Sequence, residues 1–83
     1  MKKWFLYIVK CKDSSLYTGI TTNLEKRVKR HNEGMATKYT RGRKPVKLVY
    51  SKACSNESSA RKKEIELKKL PRKKKLELIN KVL

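Results

Sequence analysis

A chain of 83 residues has one small domain as its default, and an apolar content of 37% is enough for one compact core with a thin stability margin. Its 24 lysines and arginines outweigh 7 acidic residues to give a formal net charge of +17, a self-repelling balance that a polyanion would reward, nucleic acid first through counterion release and an anionic membrane surface as its rival. No run is long enough to span a bilayer, no leader pattern opens the chain, and Cys11 and Cys54 form neither a C-x-x-C pair nor a metal-ligand cluster, so the expectation is a cytoplasmic protein with inert, reduced thiols and no membrane association.

Residues 4–9, WFLYIV, form an unbroken run of aromatic and β-branched side chains, the pattern of a central strand covered on both faces. Lys12-Asp13-Ser14-Ser15 is turn chemistry, and residues 16–20 predict a second strand paired with the first in a hairpin. Thr22 and Glu25 fit a capping box, with Thr22 as N-cap of a helix running to about Asn32. Leu24, Val28 and His31 share one stripe of that helix, and Gly34 stops it. Residues 35–45 read as a loop free of acids, where Lys38, Arg41, Arg43 and Lys44, with Lys47 just beyond, concentrate positive charge. Residues 46–50 alternate as a third strand. Ser55-Asn56 opens a second long helix with Ala60, Leu67 and Leu70 on its inner side, and Pro71 suits the first turn of a third, whose apolar stripe is Leu76, Ile79 and Leu83. The order β-β-α-β-α-α predicts an α+β fold spanning residues 1–83 as a single domain: a three-stranded antiparallel sheet flanked by three helices.

Several residues stand out from this frame. Tyr7 and Tyr17 sit on the two hairpin strands, where pairing can bring them side by side, although strand tyrosines are commonly core or interface residues. Gly19 ends the second strand, and its expected role is conformational freedom or close backbone packing. Arg27 and His31 share a side of the first helix, His31 next to the apolar stripe. Glu64 falls on the inward stripe of the second helix, where a carboxylate needs a partner. Two readings stand for it: an internal salt bridge, or a metal ligand or general base. Asn80 interrupts the stripe of the last helix. No glycine loop for phosphate is present, and a single histidine excludes a His-rich metal site.

Taken in order, these residues resemble the GIY-YIG nuclease superfamily, in particular its short single-domain bacterial members. Phe5-Leu6-Tyr7 stands where GIY belongs and Tyr17-Thr18-Gly19 where YIG belongs. Leu24-Glu25-Lys26-Arg27, followed by His31, is similar to the family's arginine helix, and residues 60–68, ARKKEIELK, to its glutamate helix. The stretch KYTRGRKPVKLVY, residues 38–50, looks like the short-member branch. Phe5 replaces the glycine of GIY and Thr18 the isoleucine of YIG, changes that spare both tyrosines and Gly19.

The resemblance implies a metal-dependent endonuclease. Glu64 would hold one divalent cation, Mg²⁺ or Mn²⁺, with no small-molecule cofactor. Tyr7 would act as, or help position, the base for the attacking water, together with His31; Tyr17 would orient water or phosphate, and Arg27 would stabilise charge on the phosphoryl oxygens. Arg27, Lys26 and the metal are expected to push Tyr7 toward phenolate. Lys26, Lys38, Arg41, Arg43 and Lys44 would bind nucleic acid, DNA ahead of RNA. Larger members carry a separate targeting domain, and none is expected here, so specificity would come from the domain itself, from a protein partner, or not at all. Two other functions compete with the nuclease: a nucleic-acid-binding module that kept the fold without catalysis, supported by nine basic residues against two acids over residues 61–75, and an adaptor for acidic or ribosomal partners.

Overall fold

The computed structural model describes residues 3–81. Strand β1 (Trp4–Lys10) is the middle of a three-stranded antiparallel sheet of order β2-β1-β3, with β2 (Leu16–Thr21) and β3 (Lys47–Cys54) at its edges. Helix α1 (Leu24–Asn32) and a one-turn helix α2 (Lys38–Arg41) lie between β2 and β3, and α3 (Glu57–Lys69) and α4 (Arg72–Lys81) follow. The α+β architecture agrees with the sequence reading. Leu83, expected on the last apolar stripe, lies outside the described residues.

Alternation along β1 divides the core. Leu6 and Ile8 face α3 and α4, packing with Cys54, Ala60 and Leu67 and with half-buried Ile20, Leu70 and Ile79. Tyr7, Val9 and Cys11 face α1, packing with Val46, Leu24, Val28 and Tyr17. A strand covered on both faces is what an unbroken apolar run requires. Both cysteines are buried free thiols.

Four local features depart from the sequence reading. Strand β2 runs on to Thr21, so the cap of α1 moves from Thr22 to Asn23, whose side chain accepts the Lys26 N–H at 3.0 Å. Part of the presumed loop is helix α2: Thr37 caps it, and a single turn is too short to show periodicity. Strand β3 continues to Cys54 because pairing with the first half of β1 holds exposed Ser51, Lys52 and Ala53, which carry no apolar alternation. Within β3 the register shifts: Ile8 pairs with Tyr50 but Val9 with Leu48, leaving Val49 as a bulge. The bulge lets Val49 and Tyr50 pack toward α3 while Leu48 packs toward α1.

The end of α1 is closely specified. Gly34 takes φ +76°, Met35 N–H donates to the Arg30 carbonyl and Gly34 N–H to that of His31, which together make a Schellman stop. The Asn32 side-chain amide then clamps the start of β3, donating to the Val46 carbonyl at 3.2 Å and accepting its N–H at 2.6 Å. These contacts fix His31, the next-to-last residue of α1, against the sheet.

Candidate active site

Tyr7 points from the centre of β1 toward α1 and is buried, with Gly19 directly opposite on β2. A Cβ at position 19 would lie 2.6 Å from the Tyr7 oxygen and 2.7 Å from Cζ. Gly19 is therefore glycine because the phenol crosses β2 at that point. Tyr17, paired with Val9, sits diagonally on the same face.

The Tyr7 oxygen is 2.9 Å from Nε2 of His31, and both side chains are buried. Tyr7 and Tyr17 each meet the imidazole edge to face, with ring centroids 5.8 and 5.4 Å away. On its other side, Nδ1 of His31 is 2.8 Å from the hydroxyl of Thr40, which is 3.0 Å from the hydroxyl of Thr37. Thr40 is fully buried. Neither threonine stood out in the sequence; the available signal was a pair of hydroxyl residues three apart inside a strongly basic segment.

Arg27 lies one turn before His31 on α1, and its guanidinium acts on both buried groups. Burial pushes the Tyr7 phenol well above its ordinary range; Arg27 opposes that rise, while Tyr17 and Glu64 add to it. Arg27 pulls the phenol toward phenolate as expected, but the low-dielectric surroundings outweigh it, and Lys26 is exposed. His31 is held below its ordinary value, by burial first and by Arg27 second. At rest the site holds a neutral phenol bonded to a neutral imidazole.

Glu64 lies on α3, its side chain 18% exposed, close enough to raise Tyr7 electrostatically and paired with Lys68 at 3.2 Å. The ion-pair reading is seen in the contact with Lys68, on the same helix, and the carboxylate's field reaches Tyr7. Among the described residues no three His, Cys, Asp or Glu side chains gather as a metal-binding group. One carboxylate suits a hard divalent cation that keeps much of its water and takes further oxygens from a phosphate, and does not suit zinc.

The structure divides the basic residues assigned to nucleic acid. Lys26, Arg27 and Arg30, with Thr21, Thr22 and Asn23, line a cavity of about 270 Å³ at the start of α1. Arg41 and Lys44 gather near Gly34, and Lys38 is exposed. Arg43 is committed internally. Its Nε donates to Asp13 at 3.0 Å, its Nη1 donates to the Tyr39 carbonyl at 2.8 Å, and its guanidinium lies 4.3 Å from the centre of the Tyr39 ring. Hydrogen bonds from Ser15, its hydroxyl foremost, and from Arg43 hold the Asp13 carboxyl below its usual range. Arg43 thus ties α2 to the hairpin turn. Tyr39 itself is 39% exposed and adjoins Tyr17, ring centres 5.7 Å apart. Asn80, expected to break an inward stripe, lies exposed on α4. No helix among the described residues is long and apolar enough to cross a membrane.

Comparison with known proteins agrees with this geometry. Residues 3–77 match the GIY-YIG catalytic domain. A UPF0213 protein of Clostridium perfringens is 58% identical over 92% of this chain and 82% of its own length, and one of Staphylococcus haemolyticus 52% identical over 95% and 96%. Two solution NMR structures are similar: a UPF0213 protein from Bacillus halodurans, 44% identical with a TM-score of 0.61 over 94% of this chain and 83% of that one, and a protein from E. faecalis, 37% identical with a TM-score of 0.65 over 99% and 88%. With the match running through both hairpin tyrosines, the arginine helix and the glutamate helix, the chain belongs to the GIY-YIG family.

Proposed function

We propose that this protein is a divalent-metal-dependent endonuclease that hydrolyses phosphodiester bonds in DNA or structured nucleic acid. The observation that carries the reading is the buried hydrogen bond between Tyr7 and His31, with Arg27 and Tyr17 around it. A structural tyrosine needs only an acceptor for its buried hydroxyl; a guanidinium acting on both groups and a second tyrosine on the same imidazole go beyond that need and suit a phosphate.

The neutral phenol acts as a relay. As water attacks phosphorus, its proton passes to the Tyr7 oxygen while the Tyr7 proton moves to Nε2 of His31. The new P–O bond forms, the ester P–O bond breaks, and the leaving oxygen takes a proton from solvent. Arg27 offsets charge on the non-bridging oxygens, and Tyr17 orients water or phosphate. Glu64 would hold Mg²⁺ or Mn²⁺, which when bound supplies Lewis-acid stabilisation of that charge.

Wild type and Glu64→Gln should be incubated with plasmid and branched DNA in Mg²⁺ or Mn²⁺. Metal-dependent nicking that Glu64→Gln abolishes while binding survives is the expected result; equal nicking by both proteins would sink the assignment.

A second reading has its own support. Lys68 already occupies Glu64, and residues 61–75 carry nine basic side chains, more than one active site uses. A nucleic-acid-binding module with the nuclease fold would bind with a steep salt dependence and cut nothing.

A further inference from the structure

We infer that Thr40, braced by Thr37, is a positioning residue that holds His31 in the Nδ1–H tautomer, so that a bare Nε2 faces the Tyr7 hydroxyl. The role of that tautomer in catalysis rests on the nuclease reading; the tautomer itself does not.

A neutral imidazole has one N–H and one bare nitrogen, and each His31 nitrogen has a single hydroxyl as its partner, Tyr7 at 2.9 Å and Thr40 at 2.8 Å. Two directions are open to the chain of hydrogen bonds. In the first, Tyr7 donates to Nε2, Nδ1–H donates to Thr40, and the Thr40 hydroxyl donates to Thr37. In the second, Thr40 donates to Nδ1 and Nε2–H donates to the Tyr7 oxygen.

Tyr7 decides between them. Tyr7 is 1% exposed, and its bond to His31 is the one the structure gives its hydroxyl. In the second direction no group of the described residues accepts the Tyr7 proton before the attacking water arrives, and a buried O–H left unpaired in the resting protein is costly. In the first, every group is satisfied. Thr37 can take the second proton because its oxygen has two acceptor positions, of which the Thr40 N–H uses one at 3.1 Å. Thr37 is only partly buried, so its own hydroxyl can reach solvent.

The geometry also explains why a single turn of helix sits in the basic segment. Thr37 is the N-cap of α2, and the cap oxygen is the same atom that receives Thr40. Arg43 holds the far end of α2 to the hairpin turn, and the Thr40 carbonyl accepts the Arg43 N–H at 3.0 Å. Cap, turn and latch place one hydroxyl against Nδ1. Without that acceptor, Nδ1–H would be the unpaired donor and the imidazole would favour the tautomer that cannot accept the Tyr7 proton.

The chain has one histidine, so its ring nitrogens can be read without ambiguity. Nitrogen-15 NMR of the whole protein should be recorded for wild type, Thr40→Ser and Thr40→Val. Wild type and Thr40→Ser are expected to show a protonated Nδ1 and a bare Nε2; Thr40→Val, with a methyl in place of the hydroxyl, should shift toward Nε2–H. In nicking assays Thr40→Val should lower kcat by roughly tenfold to a hundredfold with KM little changed, the scale of losing a ring-orienting partner, and Thr40→Ser should restore it. An Nε2–H ring in wild type overturns the inference, and needs no variant to fold. A Thr40→Val protein that keeps Nδ1–H also overturns it. Absence of nicking by wild type would instead count against the nuclease reading and leave the tautomer result standing.

Discussion

The Tyr7 phenol lies across Gly19 so closely that a methyl at position 19 would overlap both its oxygen, at 2.6 Å, and its Cζ, at 2.7 Å. The ring cannot yield sideways, because it is buried and bonded to His31. Gly19→Ala should therefore destabilise the fold by about 1–3 kcal/mol, the range for overpacking, lowering the melting temperature by roughly 4–8 °C for each kcal/mol in a domain of this size. It should also move the phenol off Nε2 and remove nicking. Tyr7→Phe should not relieve Gly19→Ala, since Cζ remains in place; full recovery of stability in that double variant would contradict the packing argument.

How much of this was visible beforehand varies by element. The WFLYIV run announced a strand buried on both faces, and β1 is the central strand. Strand pairing and helical spacing link Tyr7 with Tyr17 and Arg27 with His31 as two separate pairs, because both are local rules, and only the family resemblance joins the pairs; in the structure Tyr7 and Tyr17 both meet His31, and Arg27 acts on Tyr7 and His31. Thr40 was not legible, since only tertiary packing buries a hydroxyl from a basic segment. Arg43 looked like any cation; its commitment to Asp13, 30 residues away, is a long-range contact that composition does not encode. The Tyr7 shift is half legible for a related reason: the pull of Arg27 is written in the sequence, but the desolvation that outweighs it is not.

Stability should depend on pH through His31. Its folded-state value lies below the ordinary 6.5, so near neutrality the folded state keeps the ring neutral while the unfolded chain takes up a proton as acid is added. This contribution is complete above about pH 6.5 and is lost as pH falls through the depressed folded value. Asp13, also depressed, loses its contribution only as pH falls below about 4, outside that window. Melting temperature should thus fall between about pH 7 and pH 5 in wild type, and His31→Gln, which cannot titrate, should fall less. Parallel profiles would show that His31 is not the group responsible.

The YIG half-motif carries threonine at position 18, and its hydroxyl is buried with no hydrogen-bond partner among the described residues. Thr18→Val removes an unsatisfied polar atom while keeping the β-branched shape, so it should stabilise the protein by roughly 1 kcal/mol. Chemical denaturation would register this as a higher midpoint with an unchanged slope. A lower midpoint would mean that the hydroxyl is satisfied in solution.

The basic residues near α2 should separate into two classes. Arg43→Lys keeps the charge but loses the fork that joins Asp13 to the Tyr39 carbonyl and the stacking on Tyr39. It should lower the melting temperature and leave the salt dependence of DNA binding unchanged. Arg41→Gln and Lys44→Gln should do the opposite, each reducing the salt slope by about 1 if it contacts a phosphate. Titrations at several salt concentrations test this, and a slope altered by Arg43→Lys but not by the other two would reverse the assignment.

Glu64 is shared between Lys68 and any cation it holds, and the strength of that competition can be bounded. The pair is a partly exposed i,i+4 contact at 3.2 Å, with Lys68 52% exposed; such pairs contribute about 0.3–0.5 kcal/mol. Lys68→Met removes the competitor and should lower the Mg²⁺ or Mn²⁺ concentration for half-maximal nicking by about twofold, that energy expressed as a binding ratio. The loss of a positive charge would also weaken DNA binding slightly, so metal titrations should be run at saturating DNA. A chelator should abolish nicking in both proteins, and added metal should restore it to the Lys68→Met variant at the lower concentration. A higher metal requirement in Lys68→Met would mean that Lys68 orients Glu64 for the cation instead of competing with it.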